Sequence, residues 1–506
     1  MNRPVIRALG GGAIAVVAAL LAVPVYEHLT AEELDHSPVV APSAIDAWTA
    51  PWEPQVGSPS AAEPDDCDTL PSRWMMIGWD GADWDLVLPL VESGRLPNLE
   101  RLMRGGTYGT LHSMVPSNSP SIWTTVATGV SPARHGITHF YDQQPPWERW
   151  FDRLLHFGTL HRQLFSNQDR RTRAVWNVLT DRGRSVLVTG YHNTFPVEVV
   201  NGAMVSNYLV QDSVGEILDA ETEVTDESPF AASLVYPQAQ LDEILAIQTD
   251  VQRRVVDALP RFVDLPPDEI VDYVRHARQL EEDANPYILV RAWTFDTIVA
   301  ETALAFLRRE LPTLAMVHFQ GVDWASHRFY YHQDPRPFTG FDWSPEQRER
   351  LEAERPIYDG TIEAFYVYLD EWLGRLLALR DEGTAVLLMS DHGFEPFDDP
   401  WVTGKHFEAP PGMVVLEGPG IRSGRLDDEA SVYDILPTLM AGLDLPIADD
   451  LPGAPIESAF CPAAWASGSH ETVPTYGTGD FVPTIARSDD LDSRVLQQLE
   501  SLGYLD

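Results

Sequence analysis

The chain has 506 residues, 44% of them apolar and 10% aromatic, enough for one large domain with insertions or for two or three smaller ones, and too apolar for a disordered chain. Its formal net charge of −41 argues against a nucleic-acid-binding surface, because phosphate backbones are gripped by clustered Lys and Arg. Only two cysteines occur, Cys67 and Cys461, which excludes a cysteine metal site and a disulfide framework and leaves either one pairing or two thiols.

In chain order, Arg3 and Arg7 precede an uncharged stretch over residues 8–26, and an acidic run over 27–35 follows. Such asymmetry holds the positive end in the cytoplasm and sends the rest across the membrane. Residues 1–30 are therefore expected to be a signal peptide or a retained membrane anchor. The expected location is extracytoplasmic, periplasmic or at the cell surface, with the protein either anchored or secreted. Residues 31–72, rich in Pro, Ala, Ser, Asp and Glu, read as a linker.

The folded part begins at Arg73. Residues 74–79 form a short apolar run that ends in Asp80-Gly81, the pattern of a buried parallel strand delivering an acid at its carboxyl end. Residues 314–319 repeat the design before Gln320-Gly321-Val322-Asp323, and residues 385–389 before Ser390-Asp391-His392-Gly393. Helical spacing occurs between them at 99–103, 298–307 and 362–379, so an α/β sheet is expected, with ligands at the carboxyl ends of its strands. Residues 141–311 lack acid-ended strands and carry helical stretches at 241–259 and 269–280; they read as an insertion or cap. The catalytic unit is placed at 73–460, and 461–506 reads as a tail with a short helix at 491–502.

Asp80, Asp323 with His327, Asp391 with His392, and His406 are metal-ligand types in strand-end or glycine-turn contexts. Mixed oxygen and imidazole donors suit zinc, or manganese or iron, rather than the all-oxygen cages of calcium. Each fragment alone is as well explained by turns, caps or surface pairs; the conjunction points to metal. Ser119, followed by Pro120, reads as a helix N-cap whose hydroxyl lies where the helix dipole attracts an anion. A nearby metal would lower the hydroxyl pKa so that it could attack phosphorus. Lys405, the sole lysine, stands beside His406 and is either a phosphate contact or a solvated loop residue. His135 and His139 read as structural, and Trp79, Trp84 and Trp324 as packing.

These stretches resemble the type I phosphodiesterase/nucleotide pyrophosphatase family of the alkaline phosphatase superfamily. The resemblance rests on Ile77-Gly78-Trp79-Asp80-Gly81, Ser119-Pro120-Ser121-Ile122-Trp123-Thr124, Thr128-Gly129 through Gly136-Ile137, Asp323-Trp324-Ala325-Ser326-His327, Ser390-Asp391-His392-Gly393 and Gly404-Lys405-His406. It implies an alkaline-phosphatase-like sandwich with a central, mostly parallel sheet flanked by helices, plus a mainly helical insertion. It further implies two divalent ions, zinc first: Asp323, His327 and His406 on one, Asp80, Asp391 and His392 on the other. Ser119, nine residues before Thr128, takes the nucleophile's place on the second ion, and a phosphate ester is the implied substrate, cleaved through a phosphoseryl intermediate.

The chain departs from the family where nucleotide pyrophosphatases carry a phosphate-binding Asn; it has Thr138-His139-Phe140 there, with Asn118 as a candidate substitute. Sulfatases follow their nucleophile with x-Pro-x-Arg, which Ser119-Pro120-Ser121-Ile122-Trp123 does not match. Beside hydrolysis, two other readings are carried: transfer of the phosphoryl-alcohol group to an acceptor at a membrane, and a non-catalytic binding protein on the same fold.

Overall fold

The computed structural model describes residues 67–140, 165–208, 233–277, 285–408 and 410–478, together with 45 and 48. The uncharged N-terminal stretch, most of the linker and the helix expected at 491–502 lie outside the described residues. Among those described, no helix is long and apolar enough to cross a membrane.

The three acid-ended runs form neighbouring strands, β1 (Arg73–Trp79), β6 (Leu314–Phe319) and β7 (Thr384–Met389). Pairing is parallel and nearly flush: Trp79 lies opposite Phe319, and Gly78 opposite Met389. Asp80, Gln320 and Ser390 thus leave the same edge of the sheet side by side. The other strands are β2 (Thr107–His112), β3 (Val186–Thr189), β4 (Gly202–Val205), β5 (Val235–Tyr236), β10 (Gly412–Glu417), β11 (Gly424–Arg425) and β12 (Ala430–Ser431). They build a ten-stranded sheet in the order β11-β2-β10-β7-β1-β6-β3-β4-β5, with β12 on β2. Only β10 and β5 pair antiparallel with their neighbours. A separate two-stranded ribbon joins β8 (Glu395–Pro396) and β9 (Gly404–Lys405).

Because successive strand residues point to opposite faces, the apolar runs split into two cores. Met75, Ile77, Trp79, Val317 and Leu388 face one side, against the helices Trp84–Glu92, Pro97–Gly105, Asn285–Leu307, Gly321–Gln333 and Thr361–Leu377. Trp74, Met76, Met316, Leu387 and Val414 face the other, against Ser119–Thr128, Val175–Asp181 and Ile435–Gly442. The sheet is buried on both faces, as a parallel sheet requires. Trp79, Trp84 and Trp324 are buried in the first core and serve packing.

Two expectations are corrected. Residues 141–311 are more than a cap: 186–189, 202–205 and 235–236 are strands of the main sheet, and β3 sits directly beside β6. Strands of two to four residues are too short to show a period, so only the helices around them were readable. Second, the helix over 119–128 has Asn118 at its N-cap and Ser119 as its first residue. The Ser119 hydroxyl makes its contacts across the site instead of capping its own helix.

Cys67 and Cys461 form a disulfide, with Cα atoms 5.6 Å apart. The described part of the tail is structured: Cys461 is followed by the helix Pro462–Ser467 and by the strand Thr472–Val473, which pairs with Ile447–Ala448.

Candidate active site at the carboxyl edge of the sheet

Four parallel strands deliver polar side chains to one place. β1 ends in Asp80, β6 leads into the helix carrying Asp323 and His327, β7 ends in Ser390-Asp391-His392, and β3 ends in Gly190-Tyr191-His192. Ser119 arrives from the loop after β2 at the positive end of a ten-residue helix, where the dipole favours an anion. Asp296, wholly buried, accepts the backbone N–H groups of Gln320 and Gly321 at 2.9–3.1 Å and so fixes the start of the helix that presents Asp323.

The Ser119 hydroxyl lies 3.3 Å from Asp80 Oδ1 and 3.2 Å from His392 Nε2. His392 Nε2 is also 3.5 Å from Asp391 Oδ2, 3.6 Å from Asp80 Oδ1 and 3.9 Å from Asp323 Oδ1. Asp391 Oδ1 accepts the Gly81 N–H, whereas its Oδ2 is buried with no hydrogen bond. Asp323, His327 and His406 form a second group whose donor atoms lie within 4.8 Å of one another; Asp80, Asp323 and His392 form another. Asp323 therefore stands between the two groups. The rings of His392 and His406 stack at 3.9 Å, and Phe394 packs edge-on against both and against His327.

The donor set fits divalent cations on two grounds. His327 and His392 donate Nδ1–H to the carbonyls of Gly404 and Gly393, at 2.9 and 3.2 Å. That fixes the tautomer in which Nε2 turns its lone pair to the site, the arrangement of metal-bound imidazoles. Burial keeps both rings, and His406, neutral; His327 is pushed down to about 4. Second, Asp80, Asp323 and Asp391 crowd one buried space. Burial, with the charges of Asp80 and Asp323, drives the Asp391 carboxyl far above its usual range. Burial would raise Asp80 too, but the facing imidazoles of His192 and His318 hold it well below. A cation bound beside Asp391 would offset the charges of Asp80 and Asp323 and let its carboxyl ionise.

The six expected ligands and Ser119 are thus brought together. Asn118 is adjacent, with its Oδ1 buried and without a hydrogen bond. Lys405 is engaged elsewhere, 3.6 Å from Glu395 and over the Phe397 ring. His135 is structural: its Nε2 lies 3.0 Å from the Thr125 hydroxyl, and its Nδ1 accepts the Ile137 N–H. Sequence reasoning missed His192, His318 and Trp123, all on Asp80 Oδ2, at 3.3, 3.2 and 3.0 Å. The readable signal was the Gly-Tyr-His-Asn end of β3, a strand-end turn of the same design with a histidine in place of the acid.

The type I phosphodiesterase/nucleotide pyrophosphatase family model matches residues 75–441. Among solved structures, wild-type alkaline phosphatase PafA aligns over 78% of this chain and 99% of its own, with 12% identity and a TM-score of 0.51. That likeness shows the fold to be alkaline-phosphatase-like. A phosphonoacetate hydrolase from Sinorhizobium meliloti 1021, complexed with phosphonoformate, matches at 16% identity and TM-score 0.34 over 66% of this chain; the match spans 58% of the hydrolase. Murine ectonucleotide pyrophosphatase/phosphodiesterase 5, complexed with AMP, matches at 10% identity and TM-score 0.38, over 74% of this chain and 95% of its own. No curated protein matches the chain in sequence.

Proposed function

Since the chain belongs to the type I phosphodiesterase/nucleotide pyrophosphatase family of the alkaline phosphatase superfamily, we propose that it hydrolyses phosphodiesters or phosphomonoesters with Ser119 as nucleophile. The observation that carries this reading is the Ser119 hydroxyl, buried at a helix start and held between Asp80 Oδ1 and His392 Nε2. Two divalent ions, zinc by donor type, would be held by Asp323, His327 and His406 and by Asp80, Asp391 and His392. Bound there, they would supply Lewis-acid stabilisation of the attacking and leaving oxygens.

The residues of the chain do the rest. Ser119 lies against Asp80 and His392, two of the expected ligands of one ion, where a bound cation would lower the hydroxyl pKa and let its proton pass to solvent as the oxygen turns to phosphorus. Attack breaks the bond to the leaving alcohol and forms a phosphoseryl ester; water then cleaves that ester and restores the hydroxyl. The positive helix end faces the developing anion, and the Asn118 amide is a neighbouring group able to contact a phosphate oxygen. Phe394 and the stacked histidines wall the site with apolar ring faces, which keeps its electrostatic interactions strong.

The same reading places the protein outside the cytoplasm, anchored or secreted through residues 1–30. The Cys67–Cys461 disulfide supports it, because such bonds persist in oxidising compartments.

Ser119→Ala is expected to lower turnover of aryl phosphate esters by at least about 10³-fold, with circular dichroism and metal content unchanged. Unchanged turnover would sink the assignment. Comparing aryl monoesters, aryl diesters and nucleotide esters on the zinc-loaded protein then ranks the substrate classes.

A further inference from the structure

We propose that the β8–β9 ribbon seats the leaving group of the ester, and that Phe407 makes the contact that selects it: the preferred substrates release a bulky, uncharged apolar alcohol. The inference rests on the phosphoesterase reading of Ser119 and adds to it the class of leaving group.

Direction decides where that group lies. In an in-line displacement the leaving oxygen departs opposite the attacking one. Ser119 attacks from beside Asp80 and His392, so departure is toward the other donor group, Asp323, His327 and His406. That group is also the open one. Ser119, Asp80, Asp391 and His392 are at most 4% exposed, whereas His327 and His406 are both half-buried.

The ribbon lines this mouth. Its Gly404 carbonyl accepts from His327 Nδ1 at 2.9 Å, and the hydroxyl of Ser117, two residues before the nucleophile, donates to the His406 carbonyl. Phe407 follows directly and is 58% exposed. Among the described residues, the exposed large apolar side chains are Val199, Val271, Phe397, Trp401 and Phe407, so the aromatic ones all belong to the ribbon, its tip or its ends. Arg350 lies over the Trp401 ring at 3.6 Å and Lys405 over the Phe397 ring at 5.3 Å. Among the described residues no cation or ring covers Phe407. An aromatic face left in water beside a reactive centre gains by being covered.

Charge at the mouth selects a neutral group. Lys405 is 3.6 Å from Glu395, and Arg328, next to His327, donates to Asn285 Oδ1 and to the Trp401 carbonyl. Both neighbouring cations are thus engaged. Glu408 sits on the same side, its N–H donating to the Glu395 carboxylate at 3.4 Å. A departing pyrophosphate would meet these carboxylates, whereas an apolar alcohol meets Phe407. The seat is also rigid: Phe397 N–H donates to the Thr403 carbonyl at 2.9 Å, and the Thr403 hydroxyl to the Arg328 carbonyl at 3.0 Å, which pins the ribbon to the helix Gly321–Gln333. Little ordering is then lost on binding.

The test compares Phe407→Ala with the wild type, as full zinc-loaded chains, on 2-naphthyl and ethyl esters of phosphate and of methyl phosphate. The readout is the naphthyl-to-ethyl ratio of kcat/KM, because any loss of zinc lowers both alike. In Phe407→Ala the naphthyl ester is expected to fall about tenfold and the ethyl ester less than about twofold, and Phe407→Leu is expected to recover most of the ratio. An unchanged ratio, with the wild type active, would overturn the seat and leave the phosphoesterase reading intact. A wild type that turns over none of these esters would sink that reading and the seat with it. On the wild type, a carboxylate added to the naphthyl ring is expected to lower kcat/KM at least about fivefold; no decrease would overturn the choice of an uncharged leaving group.

Discussion

Two carboxyl groups outside the expected ligand set hold the site in shape, and both are displaced from their ordinary acidity. Burial, reinforced by the charge of Asp85 and opposed by the N–H groups of Phe394 and Asp85, brings Asp83 up to about 6. Asp83 caps the helix after β1 and also ties down Phe394, the ring packed among three site histidines. Burial brings Asp296 up to about 7, against the pull of the Gln320 and Gly321 N–H groups. A folded pKa above the unfolded 3.8 means that the native state keeps its proton while the unfolded chain gives its own up. Stability from this residue therefore falls as pH rises from about 4 to about 7, and is flat above and below that window. Asp296→Asn keeps an acceptor for the backbone and removes the titration. Its denaturant midpoint, relative to wild type, is expected to be higher at pH 8 than at pH 4; an equal offset at both would refute the buried-proton account.

At the level of elements, the turn after β3 connects most of the site. The Tyr191 hydroxyl donates to the Trp123 carbonyl at 2.8 Å, Trp123 Nε1 donates to Asp80, and Asn193 Nδ2 grips Pro120 and Thr124. Asn193→Ala should cost about 2 kcal/mol, from two lost hydrogen bonds and a left-handed φ that alanine resists. Asn193→Gly, which relaxes the backbone but not the bonding, should cost about half as much. Denaturant unfolding of the two variants orders them, and the reverse order would show that φ is not the constraint. Here the limits of the sequence are visible in physical terms. β1, β6 and β7 are six- or seven-residue apolar runs closed by an acid, so their type, direction and cargo could be read. β3 has four residues and its histidine, His192, lies three residues beyond its end, while His318 lies inside β6; neither position shows its direction until the sheet is assembled. The one-residue error at Ser119 is of another kind, since a Ser-Pro step fits the cap and the first turn equally well.

For the whole molecule, the disulfide sets the relation between the ends of the described chain. Cys67 precedes β1, and Cys461 donates its N–H to the Gly420 carbonyl, just beyond the end of the antiparallel β10. Both therefore sit at the amino edge of the parallel strands, while Asp80 leaves the opposite edge. The seven residues of β1 put these edges roughly 20 Å apart at about 3.3 Å per residue. Linking positions 394 residues apart stabilises mainly by restricting the unfolded chain. Removing the link should thus act on stability and not on chemistry. Cys67→Ser/Cys461→Ser is expected to lose about 5 kcal/mol and to denature earlier in urea, while kcat on an aryl phosphate ester at 25 °C stays within about twofold of wild type. A kcat loss much beyond that, in a variant still folded by circular dichroism, would mean that strain at the amino edge reaches Ser119 through β1, the strand that carries Asp80.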